Sequence, residues 1–170
     1  SYLVNEDNKA AYAKLLNQNY MPLLNKLTLS QSEQDNADVI RLRNQLYSLL
    51  GTHSNNDQLV EQSVKIAKQY LADTSSVPSG IAGTAIEIAT RNSEQGEQGT
   101  WFNTIVEAFK KAQLPNVKST LVYSMYFEDK ATVFKMLDLA LTDDITPANT
   151  MHMVVRVARN LDDHTLLYEW

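Results

Sequence analysis

Residues 127–161 read FEDKATVFKMLDLALTDDITPANTMHMVVRVARNL, and the fold of the chain turns on how this stretch divides. Asp129 is a good N-cap residue ahead of an apolar stripe, Val133, Met136, Leu137, Ala140 and Leu141, whose spacing matches one face of a helix. Thr146-Pro147 restarts the pattern with an N-cap followed by proline at the first helical position, where no amide partner is lost. A second stripe follows: Met151, Val154, Val155, Ala158 and Leu161. Two capped helices joined by a short polar turn form a helical hairpin, which buries its apolar faces without a sheet.

The same reading extends outward. Tyr12, Leu15, Leu16, Tyr20, Leu23, Leu24 and Leu27 fall on one face of a first helix, which Pro22 is expected to bend or break. Val39, Leu42, Leu46, Leu49 and Leu50 make a second, stopped by Gly51 at a plausible C′ position. Asn55 is placed to cap a third, with Gln58 reaching back and Val60, Val64, Ala67 and Leu71 facing inward. Ser79 caps a fourth, in which Gly83 costs about 1 kcal/mol unless a neighbour packs against it, so Gly83 reads as a packing residue. NSEQGEQG (92–99) is the most loop-like segment. Trp101, Phe102, Ile105, Val106 and Phe109 form a fifth stripe, and Pro115-Asn116 opens a sixth helix through VKSTLVYSMYF. Asp162 and Asp163 are N-cap candidates for a ninth, HTLLYEW, which has no stop signal after Trp170 and reads as unfinished.

No run alternates for long enough to argue a strand, so the expected fold is all-α. The even-numbered helices begin at intervals of roughly 30 to 45 residues, each opening a helix pair, which is the period of helical-hairpin repeats. The architecture expected is an α-solenoid of antiparallel pairs of the loose HEAT or armadillo kind, coiled into a right-handed superhelical arc, with residues 1–170 as one helical-repeat domain.

Composition narrows the function. With 44% hydrophobic content, a chain of 170 residues can bury a substantial core. Its 15 Lys plus Arg against 20 Asp plus Glu give a net charge of −5 without any long cationic block, which argues against nucleic acid as a partner. The absence of cysteine excludes disulfides, thiolate zinc sites and thiol catalysis. No apolar run approaches the roughly 20 residues of a membrane span. The compartment is left open by these residues.

The order Tyr20, Pro22, Leu23-Leu24, Leu27, then ADVIRLRNQLYSLLG (37–51), resembles the C-terminal helical domain of zinc aminopeptidases of the aminopeptidase N type, in the branch that includes puromycin-sensitive and endoplasmic-reticulum aminopeptidases. The likeness continues through VEQSVKIAKQYL (60–71), VPSGIAGTAIEIATRNS (77–93), the 127–150 stretch and NLDDHTLLYEW (160–170). It covers nearly all of this chain and about half of that domain. Two departures stand out: Thr28, where a glycine often follows the residue equivalent to Leu27, and a longer SEQGEQG segment (93–99).

The resemblance implies a parent enzyme that removes N-terminal residues from peptides, using zinc held by H-E-x-x-H and a distant glutamate. None of these elements is in the chain. Its histidines are His53, His152 and His164, and none is followed by glutamate or has a second histidine four residues on. The G-x-M-E-N segment that grips the substrate amine is also missing, and no serine sits in a G-x-S-x-G elbow. No catalytic residue, metal ligand or cofactor is therefore expected in this segment, and zinc belongs to the parent's catalytic domain. The pairs Asp143-Asp144 and Asp162-Asp163 read as helix-boundary charge rather than as acid/base couples. The tyrosines and methionines of LVYSMYF read as core and groove lining.

One constellation stands out as a candidate peptide contact. His152, Arg156 and Arg159 recur at i, i+4 and i+7 on the eighth helix, displaced from its apolar stripe, and form a cationic ridge on an acidic chain. On the concave side such a ridge would attract a peptide's C-terminal carboxylate or acidic residues, since arginine pairs bidentately with carboxylate. Its competing reading is a solvated face balancing nearby aspartates. Two functions follow: a non-catalytic wall over the active site of an aminopeptidase, with the catalytic domain of the same polypeptide and peptide substrates as partners, or a stand-alone helical scaffold that binds a protein.

Overall fold

Several helices start on a specific side-chain hydrogen bond. In the computed structural model, which describes residues 4–5, 7–29, 35–160 and 169–170, Asn36 accepts the Val39 amide at 2.9 Å, Asn56 that of Leu59 at 3.0 Å and Asp129 that of Thr132 at 2.9 Å. Eight helices result among the described residues: α1 (Lys9–Leu27), α2 (Ala37–His53), α3 (Asp57–Ala72), α4 (Ser79–Arg91), α5 (Gln95–Lys111), α6 (Pro115–Ser124), α7 (Lys130–Ala140) and α8 (Pro147–Asn160). No strand occurs among these residues, as the periodicity predicts.

The helices pack in two layers. α1 lies on α2, α3 on α4, α5 on α6 and α7 on α8; α2, α4, α6 and α8 touch in series on one side, and α3, α5 and α7 on the other. This order is consistent with an α-solenoid, although the packed pairs begin at the odd helices rather than the even ones. One apolar cluster runs from Leu16 to Val157 between the layers, with Tyr47, Tyr70, Phe109, Leu121 and Leu137 essentially sealed from water. Burial of each such side chain contributes about 1.5–3 kcal/mol.

Several local expectations are corrected by packing. Pro22 does not break the first helix, which runs from Lys9 to Leu27 with the proline inside it. Gly51 is not a C′ residue: α2 continues to His53, and Gly51 meets α4 so closely that a Cβ there would lie 2.0 Å from Ile88 Cδ1. The left-handed position belongs to Asn55, with φ 48°, and Asn56 caps α3 in its place. In α3 the buried face is Leu59, Ser63, Ala67 and Tyr70, one step round from the expected stripe. Ser79 is the first residue of α4, with Pro78 ahead of it and no side-chain cap. Gly83 is a packing residue, since an added Cβ would stand 3.2 Å from Thr120 Cγ2 on α6.

Most of the SEQGEQG segment is helical, because α5 starts at Gln95. Gln98 explains this: its Oε1, buried in the core, accepts the amides of Glu128 at 2.8 Å and Asp129 at 2.9 Å and ties α5 to the start of α7. α6 ends at Ser124, so Met125, which is extended, and Tyr126 and Phe127 after it are buried but not helical. Val133, Met136, Leu137 and Ala140 of α7 are buried, while Leu141 lies just past its end and is exposed. α8 is rotated from its expected face: Met153 and Val157 are buried, and Met151 is exposed. Leu161 and most of the ninth-helix segment lie outside the described residues; Trp170 donates its indole N–H to Asp138 at 2.9 Å.

Thr28 closes α1 in a conformation that glycine favours, φ 53° and ψ 165°. Buried Arg43 pins that turn, donating Nε–H to the Thr28 carbonyl at 2.8 Å and Nη2–H to Leu27 O at 3.2 Å and to Asp35 at 2.7 Å. The departure at Thr28 thus falls on a position where backbone geometry matters.

Candidate functional site

The even-numbered layer gathers the polar side chains that the core does not explain. α4 carries only two charged residues, Glu87 and Arg91, one turn apart on the same face. Rotating α8 to bury Met153 and Val157 brings His152 and Arg156 toward them. α6 stops about one turn short of the expected length, and Tyr126 in the non-helical stretch that follows is buried against Arg91 and Arg156.

Arg156 Nη2 lies 2.8 Å from Glu87 Oε1, and its Nη1–H donates to the Tyr123 carbonyl at 2.6 Å. Arg91 Nη2 reaches the same carboxylate oxygen at 3.4 Å. Both guanidinium groups lie near the Tyr126 ring, Arg91 Cζ 3.7 Å from its centroid and Arg156 Cζ 5.9 Å. The Tyr126 hydroxyl donates to Glu128 at 2.7 Å. Burial, reinforced by that hydrogen bond to Glu128, pushes the phenol up to about 12, against the pull of Arg91 and Arg156. His152 packs on Tyr123 with ring centroids 4.2 Å apart. Burial holds its imidazolium form below the usual range, Arg156 adds to this, and Glu87 opposes it.

The charge count within this contact is unequal: two guanidinium groups share one carboxylate oxygen. Arg91 Nε, Arg156 Nε and His152 Nε2 are buried without a hydrogen-bond partner. The two Nε–H groups are unmatched donors beside an aromatic face, the chemistry that pairs with a planar anion such as a carboxylate, but both are sealed from solvent in this arrangement. A shallow groove of about 590 Å³ runs on from Glu87 along α2 and α4, lined by Asn44, Gln45, Ser48, Thr52 and His53. Asn44 Oδ1 is buried there with no donor. Burial and the neighbouring Arg91 lower the His53 imidazolium as well.

Of the three predicted contact residues, the structure brings His152 and Arg156 into one cluster, while the Arg159 side chain lies outside the described residues. Arg156 is not a free cation on a solvated ridge, since Glu87 pairs with it. Glu87, Arg91 and Tyr126 were not singled out by sequence reasoning. The signal for the first two was a lone acid–base pair at helical spacing in the otherwise uncharged SGIAGTAIEIATR. Asp143 and Asp144 sit exposed in the α7–α8 turn.

Among the described residues no group of three or more His, Cys, Asp or Glu side chains is placed to hold a metal ion, so the donor set does not fit zinc. No helix among them is long and apolar enough to cross a membrane. The family model that matches, over residues 1–170, is described as ERAP1-like C-terminal domain. No curated protein and no solved structure matched the chain.

Proposed function

Because the chain belongs to the ERAP1-like C-terminal domain family, we propose that it forms part of a right-handed helical arc over the active site of an aminopeptidase, limiting access and contributing to peptide selection. The family points to a zinc aminopeptidase as the parent, and its metal lies in the catalytic domain, not in this one. The partners in this reading are the catalytic domain of the same polypeptide and the peptide substrate.

The observation that carries the reading is the donor surplus around Glu87, continuous with the polar groove along α2 and α4. A peptide whose amino end is held at zinc would lie against the even-numbered helices, with its distal carboxylate or acidic side chains drawn to His152, Arg156 and Arg159. Removing uniform binding of that remote part raises KM without lowering kcat. In the parent enzyme, Arg156→Ala with Arg159→Ala should raise KM for long peptides about tenfold and leave an aminoacyl amide unchanged. Equal effects on both substrates would refute the assignment. Arg156→Lys separates charge from geometry, because lysine keeps the charge and loses the planar fork.

A further inference from the structure

The odd-numbered layer holds a second concavity, which the reading above does not use. A cleft of about 460 Å³ opens between α3 and α5, within the size range of sites for small organic ligands. Val64 and Leu71 on α3, Ala89 on α4 and Trp101 on α5 give it an apolar interior. Lys68 stands between Val64 and Leu71 on the same helical face, and Glu97 lies one turn before Trp101 on the facing wall.

Asn92, Ser93 and Thr104 on the rim are committed to helix carbonyls, whereas the two charged groups are not. Among the described residues neither Lys68 nor Glu97 has an ion-pair partner. Trp101 is 9% exposed, and its indole N–H meets no acceptor among the described residues. The nitrogen is not sealed from solvent, so it can still donate to a guest. A single cation excludes a polyphosphate, which needs clustered positive charge, and opposite charges on facing walls do not suit a purely apolar guest.

We infer that this cleft binds a small zwitterion with an apolar side chain, of amino-acid or dipeptide size. Its carboxylate would meet Lys68 and the Trp101 N–H, its ammonium Glu97, and its side chain the Val64, Leu71 and Ala89 surface. The inference rests on the cleft walls alone and is independent of the peptide-arc reading.

The test uses the full chain carrying Trp170→Phe, so that Trp101, one of two tryptophans, is the sole indole reporter. Titration with L-leucine or leucyl-leucine should shift its emission saturably, with Kd on the order of 0.1–1 mM, as suits so few ligand atoms. Lys68→Met should weaken L-leucine about tenfold and leave leucinamide, which lacks the carboxylate, unchanged. Glu97→Gln should weaken L-leucine about tenfold and leave N-acetyl-leucine, which lacks the ammonium, unchanged. Both residues are exposed, so the variants should retain the parent's far-UV circular dichroism. No saturable shift up to about 50 mM would overturn the inference. So would equal weakening of all three ligands by either substitution, because charge would then play no part in recognition.

Discussion

Replacing Gly51 with alanine tests the contact on which the even-numbered layer depends. The new Cβ would stand 2.0 Å from Ile88 Cδ1 and 2.5 Å from Cγ1, whereas carbon atoms in contact sit about 3.5–4.0 Å apart. Ile88 is fully buried, so any shift of its side chain must be made within the packed core. Overpacking of this kind costs about 1–3 kcal/mol or more, while alanine regains about 1 kcal/mol of helix propensity over glycine. At the upper end of that range, where an overlap to 2.0 Å places it, the single variant should lose about 2 kcal/mol net. Ile88→Ala alone should lose about 2–5 kcal/mol through its cavity. It also removes both clashing atoms, leaving Ile88 Cβ at 3.6 Å as the nearest of the three, an ordinary contact. The double variant should then be no less stable than Ile88→Ala, a coupling of about 2–3 kcal/mol. Equilibrium urea unfolding followed by far-UV circular dichroism measures all four corners of the cycle. Additivity within about 0.5 kcal/mol would refute the α2–α4 packing described above.

Thr28→Gly should raise stability by about 1 kcal/mol, since relief of a strained conformation exceeds the entropy that glycine adds to the unfolded chain; urea unfolding that shows a loss would contradict the φ of 53°. Gln98→Ala should cost about 2 kcal/mol by leaving the Glu128 and Asp129 amides without their acceptor, and a midpoint equal to that of the parent would show that the segment is an ordinary loop. His53 and His152 bind protons less readily when folded than when unfolded, so the unfolded state takes up more protons as pH falls through the ordinary value of 6.5. Stability should accordingly decline below about pH 6.5, and the double variant His53→Gln/His152→Gln should show a flatter profile in thermal melts across that window. An unchanged slope would place the acid sensitivity elsewhere.

Much of the helix count and several starts were legible because they depend on residues within one turn. Asp129 caps α7 by accepting the Thr132 amide, three positions on, and Thr146-Pro147 opens α8 in the same local way. The site was legible only in half. His152 and Arg156 show as a cationic pair at helical spacing, but the Glu87 carboxylate beside them comes from α4, 65 and 69 positions earlier by the difference of residue numbers, and no local pattern links them. The helical nature of residues 95–99 was hidden for a similar reason. Its support is Gln98 reaching the amides of residues 128 and 129, a partnership that composition does not reveal.

That the chain is all-helical, and roughly where its helices begin, can be read from the residues alone, because apolar period and end capping are decided by neighbours a few residues apart. How each helix is turned depends instead on its neighbours in space. Apolar residues in MHMVVRVA leave two faces open to burial, and contact with α6 and α7 selects Met153 and Val157 over Met151. That rotation in turn carries Arg156 to Glu87. The choice belongs to the whole fold because buried area is gained only where a neighbour's surface arrives, and which surface arrives is set by the stacking of helices far apart in the chain.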